Sequence, residues 1–198
     1  MPSGRIDQTL YVGPYSNVEA INATTLYKPG ELGSQIQLVG KSYQLVQVDS
    51  GATAATGAGH VPLCGDLAFW KDRSKYIVTN DKAQAENNAG DSRNSAAGVF
   101  NSLTSGAAGT ASITPGRYGV IQQRGTHVGV LTTGSAAAAG GTLVSVASAT
   151  STTPAAVTVA AGTAPTCVVV GIATAATSAV TTNYTPARLG GMDLVDQG

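Results

Sequence analysis

The residues that could carry chemistry are few. The chain has two histidines and two cysteines: His60, His127, Cys64 and Cys167. His60 and Cys64 stand four apart, a spacing that can hold a metal. Zinc needs three or four ligands, so His127 and Cys167 would have to reach the same point from far along the chain. The simpler reading is a polar loop histidine and a buried thiol, and no metal ligand is expected. A nucleophile pair built from Cys64 and a histidine lacks local activation, with neither a helix N-terminus nor a basic cluster beside it. No Gly-x-Ser-x-Gly elbow supports a serine nucleophile. Asp66 and Asp72 could be paired carboxylates, but they flank an exposed-looking loop and read as a solvated turn. Gly40-Lys41-Ser42 matches the end of a phosphate-binding loop. Gln35 stands where that loop needs its first glycine, and the flanks read as strands. Asn22-Ala23-Thr24 and Asn183-Tyr184-Thr185 match the glycosylation sequon, which has chemical meaning only in a secreted chain. No catalytic, cofactor-binding or metal-ligating residue is assigned, and no enzyme or cofactor is expected.

Charge sets the second limit. Of 198 residues only 11% are charged, and the formal net charge is zero. The nearest approach to a basic patch, Lys71, Arg73 and Lys75, is diluted by Asp66 and Asp72. A field that draws in nucleic acid is therefore not expected. Low charge combined with 42% hydrophobic residues also argues against ordinary disorder, which needs the opposite balance. A small, polar, uncharged surface is easiest to explain if partners cover much of it. No apolar run is long enough for a membrane span, and the N-terminus lacks the apolar core of a secretory signal. Without that signal, Cys64 and Cys167 read as two buried thiols, with a disulfide as the alternative.

The elements that must position these residues read as mainly β, with little helix. Residues 1–34 carry Leu10, Tyr11, Tyr15 and Tyr27 among turn dipeptides such as Gly13-Pro14 and Pro29-Gly30, without helical or strand periodicity. They are expected to form an extended arm that drapes over a neighbouring subunit. Residues 35–187 form the body, a small β-barrel or sandwich that divides by composition at 134/135. Residues 188–198 are set apart as a tail. In the body, Ile36 and Leu38 pair with Tyr43 to Val48 across Gly40-Lys41. Leu67 to Trp70 pair with Tyr76 to Thr79, and Gly98 to Phe100 give a short strand. Arg117 to Gln122 and His127 to Leu131 read as a hairpin turning at Gln123 to Thr126. Residues 125–187 contain no Asp, Glu, Lys or Arg. Their β-branched runs at Leu143 to Val146, Val157 to Val159 and Val168 to Ile172 argue for three strands rather than a flexible linker. Ser95 to Ala97 and Ala136 to Ala139 are the best alanine clusters, and both are too short to nucleate a helix. Residues 81–95 read as a loop or short helix. The adjacent aromatics Phe69 and Trp70 read either as core or, for the exposed one of the pair, as an interface anchor.

Three stretches together resemble a known family. Tyr27-Lys28-Pro29-Gly30-Glu31-Leu32-Gly33 leads into Tyr43 to Ser50. Gly116-Arg117-Tyr118-Gly119-Val120-Ile121-Gln122 precedes a Gly-containing spacer, and Val170-Gly171-Ile172-Ala173 follows. This order, over roughly residues 27–180, resembles the structural cement or head decoration proteins of tailed bacteriophages. The departures are Ile121 where valine is usual and an Ala/Thr-rich stretch between Leu143 and Val168. The resemblance implies a small β-barrel, no active site, and attachment to the outside of the virion as a homotrimer that bridges major capsid protein subunits. The contacts expected to carry this are Leu10, Tyr11, Tyr15, Tyr27, Phe69 and Trp70. The competing expectation is a receptor- or carbohydrate-binding module of a fibre or adhesin. Neither reading calls for nucleic-acid or membrane partners.

Overall fold

The computed structural model of the protein describes residues 32–33, 35–38, 40–52, 61–86, 96–101, 108–110, 112–133, 137–145, 154–159, 169–177 and 183–190. Runs of β-branched and aromatic residues punctuated by glycine form ten strands. These are β1 (Gln35–Leu38), β2 (Lys41–Val48), β3 (Leu67–Asp72), β4 (Ile77–Thr79) and β5 (Ala96–Asn101), then β6 (Tyr118–Thr132), β7 (Thr142–Ser145), β8 (Ala156–Thr158), β9 (Val169–Ala173) and β10 (Asn183–Gly190). Helix among the described residues is confined to two single 3-10 turns, Arg73–Lys75 and Lys82–Gln84. The chain is mainly β, as the strand patterning implied, and of the barrel and the sandwich that were expected it contains a closed barrel.

The strands form one continuous sheet that closes on itself. Its order is β1-β2-β4-β3-β5-β6-β10-β9-β7-β8, with added pairings β2–β6 and β6–β8. The β2–β6 pairing closes a five-stranded ring of β2, β4, β3, β5 and β6. Beyond it, β6 continues into a second circuit with β10, β9, β7 and β8. That circuit is completed by the single pair Thr132↔Ala156 and by the Thr133 N–H donating to the Ala156 carbonyl at 3.0 Å. Closure leaves few unpaired strand edges.

β6 makes this possible, and here the structure corrects the sequence reading. Residues 117–131 are not a hairpin. Tyr118 to Thr132 run as one fifteen-residue strand. The expected turn is a bulge, where β2 pairs Ser42 with Arg124 but Tyr43 with Gln122. Gly125, at φ +87°, supplies the left-handed residue. The Gln122 Nε2 donates to the carbonyls of Arg124 (2.9 Å) and Thr126 (3.0 Å), replacing ladder bonds that the bulge removes. The first half of β6 therefore pairs with β2 and β5, and the second half with β10.

Two other expectations change. Ala96 and Ala97, weighed as a helix seed, lie in β5. The proposed tail begins too early, because β10 extends to Gly190 and buries Leu189. The hairpin of β1 and β2, the antiparallel β3–β4 pair, and β7, β8 and β9 lie where the apolar patterning placed them. Gly40, at φ +75°, is the turn of the first hairpin, so Gly40-Lys41-Ser42 belongs to a strand connection.

The core follows the two circuits. Val46 and Val48 of β2, Ala68 and Trp70 of β3, Val78 of β4, Ala97 and Phe100 of β5 and Ile121 of β6 fill the first ring. The alternate face of β3, Leu67 and Phe69, joins Val99, Val130, Leu143, Val170, Ala187 and Leu189 in a second cluster that reaches every strand of the other circuit. Both faces of β3 are thus buried. Each fully buried large side chain contributes about 1.5–3 kcal/mol.

Candidate functional site

The sequence-derived candidates fall into two groups. Leu10, Tyr11, Tyr15, Tyr27, His60 and Cys167 lie outside the described residues. Phe69 and Trp70 are core residues, 0% and 1% exposed. Neither can serve as an interface anchor, because β3 has apolar layers on both sides. Instead, Trp70 meets the Tyr76 ring edge-on at 6.3 Å, and the Arg73 guanidinium lies 5.8 Å from its ring centroid. Tyr76 in turn closes over Gly33, where an added Cβ would sit 2.3 Å from the Tyr76 Cζ. The Gly33 N–H donates to the Leu45 carbonyl at 2.8 Å. Gly33 is thereby fixed to the first ring.

The basic residues noted in the charged segment are all engaged. Lys71 pairs with Asp49 at 2.8 Å, Lys75 with Asp72 at 2.7 Å and Arg73 with Glu86 at 3.5 Å. Asp72 also caps the first 3-10 turn by accepting from the Lys75 N–H. The hydrogen bond from Lys75, followed by that from Ser74, holds the Asp72 carboxyl down to about 2. This end of the molecule is neutralised internally and offers little field to a polyanion.

Asp66 differs from the solvated turn expected of it. It is 0% exposed, and its carboxylate accepts from the Leu63 N–H at 3.0 Å and from the Tyr184 hydroxyl at 3.3 Å. Burial, reinforced by the Asp66 charge and by that hydrogen bond, pushes the Tyr184 phenol up. The Tyr184 ring lies against Gly65 and Gly109, and the Tyr184 Cβ lies against Gly129. Added Cβ atoms at Gly65, Gly109 and Gly129 would approach Tyr184 atoms at 2.7, 2.5 and 2.9 Å. The turn at Cys64-Gly65 also bridges the two circuits. The Gly65 N–H donates to the Phe100 carbonyl of β5, and the Gly65 carbonyl accepts from the Leu131 N–H of β6. Cys64 is buried beside it. The cluster of Cys64, Asp66 and Tyr184 therefore has the geometry of a joint between circuits.

His127 is also structural in placement. It lies on β6, 3% exposed, with Nδ1 accepting from the Gly129 N–H at 3.2 Å. Burial lowers its pKa to about 4, partly offset by backbone groups of Gly129 and Phe100, with the Lys41 charge adding to the lowering. Among the described residues no group of three or more His, Cys, Asp or Glu side chains is placed to hold a metal ion.

One surface was missed by sequence reasoning. Arg124, Thr126 and Val128 alternate outward along the second half of β6, and Arg188 and Ile172 continue the same face across β10 and β9. Val128 and Ile172 are 55% and 48% exposed. The outward alternation in Arg124-Gly125-Thr126-His127-Val128 is a readable signal, but the assumed hairpin turn broke it. No family model matches this chain, and no curated protein matches it either.

Proposed function

We propose that this chain is a non-catalytic structural protein that decorates the outer surface of a bacteriophage capsid and bridges neighbouring capsid subunits. The observation that carries the reading is the use made of polar and titratable side chains in the body. Asp66, Tyr184, His127, Gln122 and the ion-paired residues of the charged segment all serve the architecture of a closed, doubly ringed sheet. A rigid body of low charge suits a clamp that is repeated by symmetry, in which many modest contacts add up. The fixed position of Gly33 on the first ring gives the preceding residues a firm root, which favours avidity when they reach a neighbour. The phage assignment itself rests on the motif order of residues 27–180.

The direct test is stoichiometry. Quantitative mass spectrometry of purified virions should find this chain in a fixed, high ratio to the major capsid protein. A handful of copies per particle, or none, would refute the role. A second test removes residues 1–26. The truncated body should stay soluble and folded by circular dichroism, while particles carrying it should release it at lower temperature or denaturant. Unchanged retention would remove the arm from the mechanism.

A further inference from the structure

The second circuit carries most of the large apolar side chains that the described body leaves in solvent. Val128, Val169 and Ile172 are 55%, 40% and 48% exposed, and among the described residues only Val61 joins them. These three share the outward face. Thr126 of β6, Arg188 of β10, Ile172 of β9 and Thr142 of β7 stand in one row across the sheet. Val128 lies two residues beyond Thr126 and faces the same way. Val169, Val144 and Val157 form the next row, across β9, β7 and β8. The neighbours Leu143 and Val170 point the other way, into the core. Arg124 and Arg188, both exposed, border this apolar patch. Lys41 lies beside Arg124, since a Cβ added at Gly125 would meet the Lys41 Cγ at 2.9 Å. None of these three cations has an ion-pair partner among the described residues.

An apolar centre with cations on one edge selects a partner built to match. Nucleic acid or an anionic lipid surface gains from rows of cations. Three cations beside a valine-rich patch, in a chain of zero net charge, supply little of that. A sugar ring stacks on aromatic faces, and these rows hold none. A second copy lacks the matching charge at its described positions. There Asp49, Asp72 and Glu86 are already ion-paired and Asp66 is buried. Asp81 is also buried, and accepts from the Ala83 N–H and the Gln84 amide. The complementary carboxylates therefore belong to a different protein.

We propose that the outward face of β6, β10, β9 and β7 docks on an apolar patch of a neighbouring capsid subunit that is bordered by Asp or Glu side chains. Arg124 and Arg188 pair with those carboxylates, and Val128, Val169 and Ile172 are buried against the patch. This inference rests on the capsid-decorating reading and adds to it the surface that attaches and the chemistry it meets. Apolar burial holds the contact, while the arginines orient it and make it salt-sensitive.

The test adds the purified full chain to phage particles assembled without it and counts bound copies by quantitative mass spectrometry over a concentration series. Arg124→Glu with Arg188→Glu should weaken binding by about tenfold or more, and so should Val128→Asp with Ile172→Asp. Arg117→Glu, an exposed charge reversal at the opposite end of β6, should bind like the parent chain. Circular dichroism establishes that each variant folds. Independently of those variants, p-benzoylphenylalanine in place of Thr126 should crosslink to the major capsid protein, at a peptide that carries Asp or Glu. If the parent chain binds and both sets of face variants bind equally well, this face is not the attachment surface, and the decorating role stands without it. If the parent chain does not bind, the decorating role falls and this inference falls with it. Crosslinks that reach only a second copy, or only nucleic acid, also overturn the proposal.

Discussion

Gly65→Ala should destabilise the fold by about 2–5 kcal/mol, with much of the loss arising from one contact. Gly65 has φ +100°, where an L side chain costs about 1–2 kcal/mol. The added Cβ would also stand 2.4 Å from the Gly129 carbonyl oxygen, a backbone atom of β6 that cannot swing aside. Overpacking of this kind costs about 1–3 kcal/mol more. The same site carries the hydrogen bonds from Gly65 to Phe100 and from Leu131 to Gly65, so relief by backbone movement would break the bridge between circuits. Gly140→Ala provides the control. It has φ +82° with nothing within 4 Å of the added Cβ, so it should show the conformational cost alone. Gly109→Ala separates the causes further, because its nearest contact is the Tyr184 ring at 2.5 Å. Tyr184→Ala should recover part of the Gly109→Ala loss and little of the Gly65→Ala loss. Urea denaturation of the single and double variants measures all of these. Equal costs for Gly65→Ala and Gly140→Ala would show that the joint between circuits is loose.

Stability should fall steeply between about pH 6.5 and pH 4, and His127 should cause most of that fall. In the folded chain its pKa lies at about 4, below the ordinary histidine value, because burial penalises the imidazolium. The unfolded chain therefore binds the proton first as pH drops. Stability is fully present above about pH 6.5 and is lost progressively down to pH 4, by about 3 kcal/mol for a shift of this size. Protonation at Nδ1 would also break the bond from the Gly129 N–H, which sits beside the Tyr184 joint. The Asp72 ion pair acts in a lower window. Its carboxyl, held down to about 2, retains its charge until pH falls below the usual carboxylate range. His127→Asn keeps an acceptor for Gly129 and cannot titrate. Between pH 7 and pH 4.5 its stability should drop by about 2 kcal/mol less than that of the parent chain. Parallel curves for the two proteins would assign the acid sensitivity elsewhere.

These two results bear on the proposed role, because a clamp on a shell must resist deformation. Both act where β6 passes from the first circuit to the second. Weakening that passage should loosen the molecule without touching its outer surfaces.

Residue pattern alone determined a great deal. Alternation at Tyr43 to Val48 and the β-branched runs at Leu143 and Val169 marked strands, because a half-buried pleated surface selects such side chains locally. The scarcity of charge after Arg124 marked a region that buries itself, and Phe69-Trp70 marked at least one core position. What the pattern could not decide was continuity and pairing. Gln123 to Thr126 has the composition of a turn, and only the partners of β6 reveal it as a bulge whose carbonyls are satisfied by Gln122. β10 was illegible because its Pro186 and scattered polar residues lack alternation, and its strand form depends on β6 and β9 lying on either side. Asp66 looked solvated until Tyr184, 118 positions away, was brought to it. The arginine-flanked apolar face emerged only once Ile172 and Arg188 were set in register with Thr126. Local chemistry is written along the chain. Burial of a given carboxylate, imidazole or valine depends on which distant strands cover it, and that is a property of the closed sheet.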